Sequence, residues 1–214
     1  MPYSIMLDAG HGGRDPGAVY NGRQEKDDTL RLTLAVGEIL QNNDIDVEYT
    51  RTTDVYESPY QKAMEANEAG VDFFVSIHRN SFPTDNAVSG VESLVYSLSG
   101  IKLEMAQNIN DQLESVGLCQ SRRESSPEPR RPETNKNAAV LVEVGFINSD
   151  TDNQLFDNNF DDIAHAIAAG FRYIQSVSSS RSRQLPGAGR FFPESGLCKP
   201  LSQRTSGSGL PCFH

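Results

Sequence analysis

The chain has 214 residues, 37% of them apolar, with 29 acidic against 19 basic side chains and a formal charge of −10. That length fills one core of ordinary size, so a single catalytic domain is expected. The acidic balance argues against nucleic acid, whose phosphates are held by cations; no stretch approaches the roughly 18 to 20 apolar residues of a bilayer span.

In chain order, Tyr3 to Leu7 is a short apolar run that breaks into Asp8-Ala9-Gly10-His11-Gly12-Gly13, a strand feeding a glycine-rich turn. After a long loop, Asp28 to Gln41 repeats Leu30, Leu34, Gly37 and Leu40 at helical spacing behind the acidic pair Asp27 and Asp28. Asp46 to Arg51 alternates as a strand, Tyr60 to Ala69 reads as a helix, and Val71 to Ile77 is an apolar strand ending at His78. Val91 to Leu98 is a further strand. Ile101 to Leu113 is a helix through Leu103, Met105, Ala106 and Ile109, and Ala138 to Val144 is a β-branched strand. Phe160 to Val177 closes the pattern as a helix through Ile163, Ile167, Phe171 and Ile174. Strands separated by helices require crossovers, which predicts an α/β three-layer sandwich: a mainly parallel twisted sheet with helices on both faces.

Two of the four histidines, His11 and His78, follow predicted strands. The carboxyl ends of parallel strands share one edge, where open α/β folds place their ligands. Glu143, near the end of its strand, offers a carboxylate to the same edge, and Glu25 comes from the loop that His11 begins. Imidazole and carboxylate suit zinc, and a catalytic zinc site uses three protein ligands, so the four candidates divide into three ligands and one base. A carboxylate within an apolar strand calls for a partner or a metal. Asp8 reads either as a capping acid or as the group orienting His11. His165 reads as structural, and His214 carries no signal.

The blocks Leu7-Asp8-Ala9-Gly10-His11-Gly12-Gly13, Glu25-Lys26-Asp27, Ser76-Ile77-His78-Arg79-Asn80-Ser81 and Val140-Leu141-Val142-Glu143-Val144-Gly145-Phe146-Ile147-Asn148 stand in this order. Together they resemble the signature blocks of the zinc-dependent N-acetylmuramoyl-L-alanine amidases, the catalytic type of bacterial autolysins and phage endolysins. The resemblance implies hydrolysis of the amide joining the lactyl group of N-acetylmuramic acid to L-alanine of the peptidoglycan stem peptide. It implies His11, Glu25 and His78 as the ligands of one zinc ion, Glu143 as the catalytic glutamate, and peptidoglycan as the partner of a monomer. Arg79 stands where a small residue is usual and is expected to crowd the substrate groove, and both Arg79 and Asn80 are read as substrate-binding residues. Asn148-Ser149 reverses the commoner order. Action in the cell wall or outside the cell is implied; no signal peptide is visible, which suits a phage-type or mother-cell lysin or an excised domain.

Ser121 to Asn137 holds no apolar residue where the family places a short apolar strand. With suitable codons, a one-base shift turns Arg122 to Asn137 into Gly-Val-Lys-Ala-Ala-Arg-Asn-Leu-Val-Val-Leu-Arg-Arg-Thr-Lys, which suggests a pair of compensating frame errors. Residues 178–214 hold one acid, Glu194, against five bases and show no period, so a disordered or non-native tail is expected beyond a catalytic domain of residues 1–177. Two of the three cysteines, Cys198 and Cys212, lie in that tail, and no disulfide is expected to staple the core. Two other readings stay open: a zinc peptidase acting within the stem peptide, and a wall-binding protein inactivated by the disrupted segment.

Overall fold

The computed structural model describes residues 3–95, 100–121 and 138–181, with side chains as far as residue 172. The elements are β1 (Ser4–Ala9), β2 (Val19–Tyr20), β3 (Arg23–Gln24), α1 (Glu25–Gln41), β4 (Asp46–Tyr49), α2 (Pro59–Ala69), β5 (Phe73–Asn80), β6 (Glu92–Val95), α3 (Ile101–Ser115), β7 (Ala138–Phe146), α4 (Asp150–Asn158) and α5 (Phe160–Arg181). The segment expected to carry frame errors (Arg122 to Asn137) lies outside the described residues, as do residues 96–98 of the strand expected over Val91 to Leu98; of the tail expected over residues 178–214, residues 178–181 instead continue α5 and the rest lies outside the described residues.

Five strands form one sheet in the order β4-β1-β5-β7-β6, all parallel except β6, which runs antiparallel to β7. Parallel neighbours require crossovers, and helices supply them on both faces, as the alternation of elements predicts. One face packs Ile5, Leu7, Phe73, Val75, Ile77, Val140 and Val142 against α1, α3, α4 and α5 through Leu32, Val36, Ile109, Phe156 and Ile163. The opposite face carries a much smaller cluster, in which Ala66 of α2 meets Met6 and Phe74. Helix α2 owes its bounds to local chemistry: Ser58 and Gln61 form a capping box, Pro59 fills the first turn and Gly70 ends the helix in the left-handed conformation.

Side chains alternate along a strand, so Asp8 lies on the face of Met6, Ser76 and His78 on that of Phe74, and Glu143 on that of Ala139. The sparsely covered face is therefore the polar one, and that is where the chemistry gathers. Strands β5 and β7 run to Asn80 and Phe146, so His78 sits within its strand rather than after it, and Glu143 lies within its strand as expected. In α1 the buried stripe runs through Leu32, Val36 and Leu40, with Leu30 and Leu34 only half-buried. The long loop contains a hairpin, β2–β3, turned by Asn21 and Gly22, both at positive φ. Cys119 is disulfide-bonded, a pairing that the count of three cysteines does not announce.

Candidate metal centre

His11 leaves β1 in a turn with φ of 60° at His11, 132° at Gly12 and 57° at Gly13. Gly12 is obligatory there, since a Cβ would stand 2.1 Å from the Val55 carbonyl oxygen. Buried cations hold the turn from below. Lys62 Nζ donates to the Ala9 carbonyl at 2.7 Å, Arg51 donates to the Ala9 and Gly10 carbonyls at 3.1 and 3.0 Å, and Thr29 Oγ1 donates to Gly10 O at 2.8 Å. Asp8, fully buried, balances Lys62 across 2.7 Å and accepts from Thr50 and Ser76. It locks β1 to its neighbours. The carboxylate on the His11 ring is Asp15, whose Oδ2 lies 2.9 Å from Nδ1.

That contact turns the other ring nitrogen inward. His11 Nε2 is 3.1 Å from Glu25 Oε2, and His78 Nδ1 is 2.9 Å from Glu25 Oε1. Glu25, the first residue of α1, also accepts from the Ala18 and Arg79 backbone N–H groups at 2.9 and 3.0 Å, so the chain fixes the carboxylate before any ion arrives. The two rings stand edge to face with centroids 5.0 Å apart. The His78 ring packs over Gly10, where a Cβ would come within 2.5 Å. One ligand atom from each of His11, Glu25 and His78 falls within 4.8 Å of the others, an arrangement that fits a small divalent cation with nitrogen and oxygen donors.

Burial alone would lower the His11 pKa, but the hydrogen bonds and charges of Glu25 and Asp15 outweigh it and raise it to about 9. For Glu25 burial acts upward, and the hydrogen bonds from His11 and His78 overcome it, holding the carboxyl well below the usual carboxylate range. Glu143 is the contrasting acid. Burial, reinforced by the nearby charges of Glu25 and Glu92 against the downward pull of His78, pushes it up to about 7. Its Oε2 is buried without a hydrogen-bond partner among the described residues.

The sheet register explains how Glu143 reaches this centre. His78 of β5 pairs with Glu143 of β7, and Glu143 pairs with Glu92 of β6. Three side chains thus form one row across three strands on the open face.

Comparison with known proteins decides the assignment. Residues 5–173 match the family described as N-acetylmuramoyl-L-alanine amidase. The chain belongs to the N-acetylmuramoyl-L-alanine amidase family. It is 33% identical over 192 residues to the sporulation-specific N-acetylmuramoyl-L-alanine amidase of Bacillus subtilis, an alignment covering 85% of this chain and 71% of that protein. The endolysin of Bacillus phage SPP1 is 29% identical over 193 residues, covering 87% and 71%. The CwlD amidase of Clostridioides difficile, solved in complex with the GerS lipoprotein, superposes with a TM-score of 0.73 at 28% identity over 82% of this chain and 99% of that one.

Within this amidase, the structure brings His11, Glu25 and His78 together and sets Glu143 beside His78. Asn80 lies on the same side of the centre, its Nδ2 donating to Glu92 Oε2 at 3.1 Å. Arg79 does not belong with them. It points to the opposite face, 2% exposed, donating to Asp28 Oδ2 at 2.6 Å and Asn153 Oδ1 at 2.8 Å and lying 4.3 Å over the Phe156 ring. The expectation that Arg79 crowds the substrate groove is therefore corrected: strand alternation sends neighbours of His78 to the other side. Two residues escaped the sequence reading. Asp15 had a signal, an acid four positions after His11 ahead of a Pro-Gly turn; Glu92 had none, since only the pairing of β6 with β7 reveals it.

Proposed function

We propose that this amidase is zinc-dependent and cleaves the amide between the lactyl group of N-acetylmuramic acid and L-alanine of the stem peptide, acting at the cell wall as a monomer. The observation that carries the reading is the convergence of His11, Glu25 and His78 within 4.8 Å, next to a buried acid displaced toward neutral pH. His11 Nε2, the Glu25 carboxylate and His78 Nδ1 would hold the ion. When bound, zinc supplies Lewis acidity, making water a stronger acid and drawing electron density from a carbonyl oxygen.

Glu143 is the base. A carboxyl near pKa 7 can take a proton at neutral pH and return it, which is what general acid–base catalysis requires. It accepts one proton from the attacking water as the C–O bond forms, then delivers it to the nitrogen as the C–N bond breaks. The products are a lactyl carboxylate and the free amine of L-alanine. Asn80 keeps its place in the substrate site. Residues 1–177 make up the catalytic unit, a reading supported by the family match over residues 5–173, and residues 178–214 take no part in the chemistry.

Digestion of purified walls or muropeptides followed by mass spectrometry tests this. Intact stem peptides with a free L-alanine amine, and intact glycan carrying lactyl carboxylates, are expected. Fragments cut inside the stem peptide would replace the reading with a peptidase, and zinc-loaded protein without turnover would make it a binding protein.

A further inference from the structure

Glu92 stands beside the proposed base, yet no part of the reaction above uses it. It is the last member of the row His78–Glu143–Glu92, directly opposite Glu143 in the β6–β7 register. Two carboxylates in opposed positions repel. The described residues supply one donor: Asn80 Nδ2 reaches Glu92 Oε2 at 3.1 Å. The orientation of that amide is fixed, since its Oδ1 accepts from the Ser81 backbone N–H at 2.8 Å. Glu92 Oε1, like Glu143 Oε2, is buried with no hydrogen-bond partner among the described residues. Asn80 therefore pins one oxygen of Glu92 and leaves the other as an acceptor beside the base. Buried acceptors are normally satisfied, and one left over beside a reacting centre points to a donor on the substrate.

We propose that Glu92 is a second substrate-contacting carboxylate, whose Oε1 accepts a hydrogen bond from the nitrogen of the scissile amide. The proposal rests on the amidase reading above. During the reaction the electron pair of the C–N bond goes to nitrogen and Glu143 supplies the added proton, while the hydrogen already on nitrogen stays and is the one Glu92 accepts. Glu92 neither gains nor loses a proton. As the nitrogen takes on positive character its N–H becomes a stronger donor, and a hydrogen bond to carboxylate becomes charge-assisted. The contact therefore strengthens toward the transition state, so it acts on kcat more than on KM.

The test compares the parent zinc enzyme with Glu92→Gln on a muropeptide and on an analogue in which an ester oxygen replaces the scissile nitrogen. In the variant, Asn80 claims the one carbonyl oxygen and an NH2 group stands where the acceptor was. For the amide substrate kcat is expected to fall about tenfold or more, the scale of losing one transition-state hydrogen bond. For the ester, which has no N–H to offer, the fall stays within about threefold by the same reasoning, with zinc content unchanged in both cases. Glu92→Ala gives the same discrimination without an introduced donor and serves where the Gln variant fails to fold. Equal losses on both substrates, or none on the amide, overturn the role of Glu92 alone. A parent enzyme that leaves the muropeptide amide intact overturns the amidase reading, and this proposal with it.

Discussion

His11 and Asp15 meet through Nδ1 and Oδ2, 2.9 Å apart, on the side of the imidazole away from Glu25. The contact fixes the ring so that Nε2 faces the metal centre, and a carboxylate in that position raises the basicity of the ligand. Asp15→Ala is expected to weaken zinc binding by about 10- to 100-fold, the usual range for such partners, while kcat at saturating zinc changes far less. Competition against a chelator measures the first and steady-state turnover the second. Unchanged zinc affinity would show that the contact does not orient the ligand.

Zinc must displace a proton from His11, whose pKa stands at about 9. Apparent zinc affinity should rise about tenfold per pH unit from about pH 7 to about pH 9 and then level off. In the metal-free protein the raised pKa stabilises the fold fully below the ordinary histidine value, and this contribution is lost as pH rises through about 9. Glu25 works in the opposite sense: its depressed pKa stabilises above the ordinary carboxylate value and the contribution disappears in acid. Metal-free unfolding curves across pH should therefore weaken at both ends, and zinc should remove the alkaline loss.

Glu143→Gln should lower kcat by about 10²- to 10⁴-fold, the range for losing a general base, with zinc retained. A base must be ionised, so in the parent kcat/KM rises with pH through the Glu143 pKa, which the charge of bound zinc brings below the metal-free value of about 7. The stability sign is reversed from Glu25. A carboxyl raised by burial favours the protonated fold, so it costs stability as pH climbs from its ordinary value through about 7. Metal-free Glu143→Gln should then melt higher than the parent at pH above about 7; a lower melting point there would contradict this account.

Arg79 joins three elements: its own strand β5, Asp28 of α1 and Asn153 of α4. Asp28 is also bound by Arg23 at 2.7 Å, and Arg23 continues to Asp157 of α4 at 2.9 and 2.8 Å. Removing one partner of a buried ion pair strands the other. Because Arg23 still covers Asp28, Arg79→Ala should cost about 3 kcal/mol, the lower end for such pairs. In a domain of this size that is about 6 to 12 °C in melting temperature. Turnover of the folded fraction should persist, since the guanidinium lies on the face opposite His78.

Much of this was readable in the chain because the strand–helix alternation and the strand-bound His78 and Glu143 each carry their own signal. Glycine after His11 likewise announced a turn. What escaped was encoded in pairing rather than in period. Helix α4 buries only Asp152 and Phe156, so no apolar stripe marks it, although Ser149 caps it through the Asp152 N–H. The hairpin strands β2 and β3 hold two residues each, too short to alternate, and only Asn21-Gly22 betrays the turn. Asp8 and Asp15 are both acids near His11, and choosing between them needed the turn's actual path.

The three donors come from the turn after β1, the head of α1 and the end of β5, with Glu25 and His78 separated by 53 positions. An ion seated among them would be a removable rivet added to the sheet pairing and hydrogen bonds that already join these segments. Since binding to the folded form adds stability in step with ion concentration, the supply of zinc around the enzyme would govern its survival against proteases as well as its rate. Stripped molecules would be cleared before loaded ones, and wall cutting would fade by attrition when the ion becomes scarce.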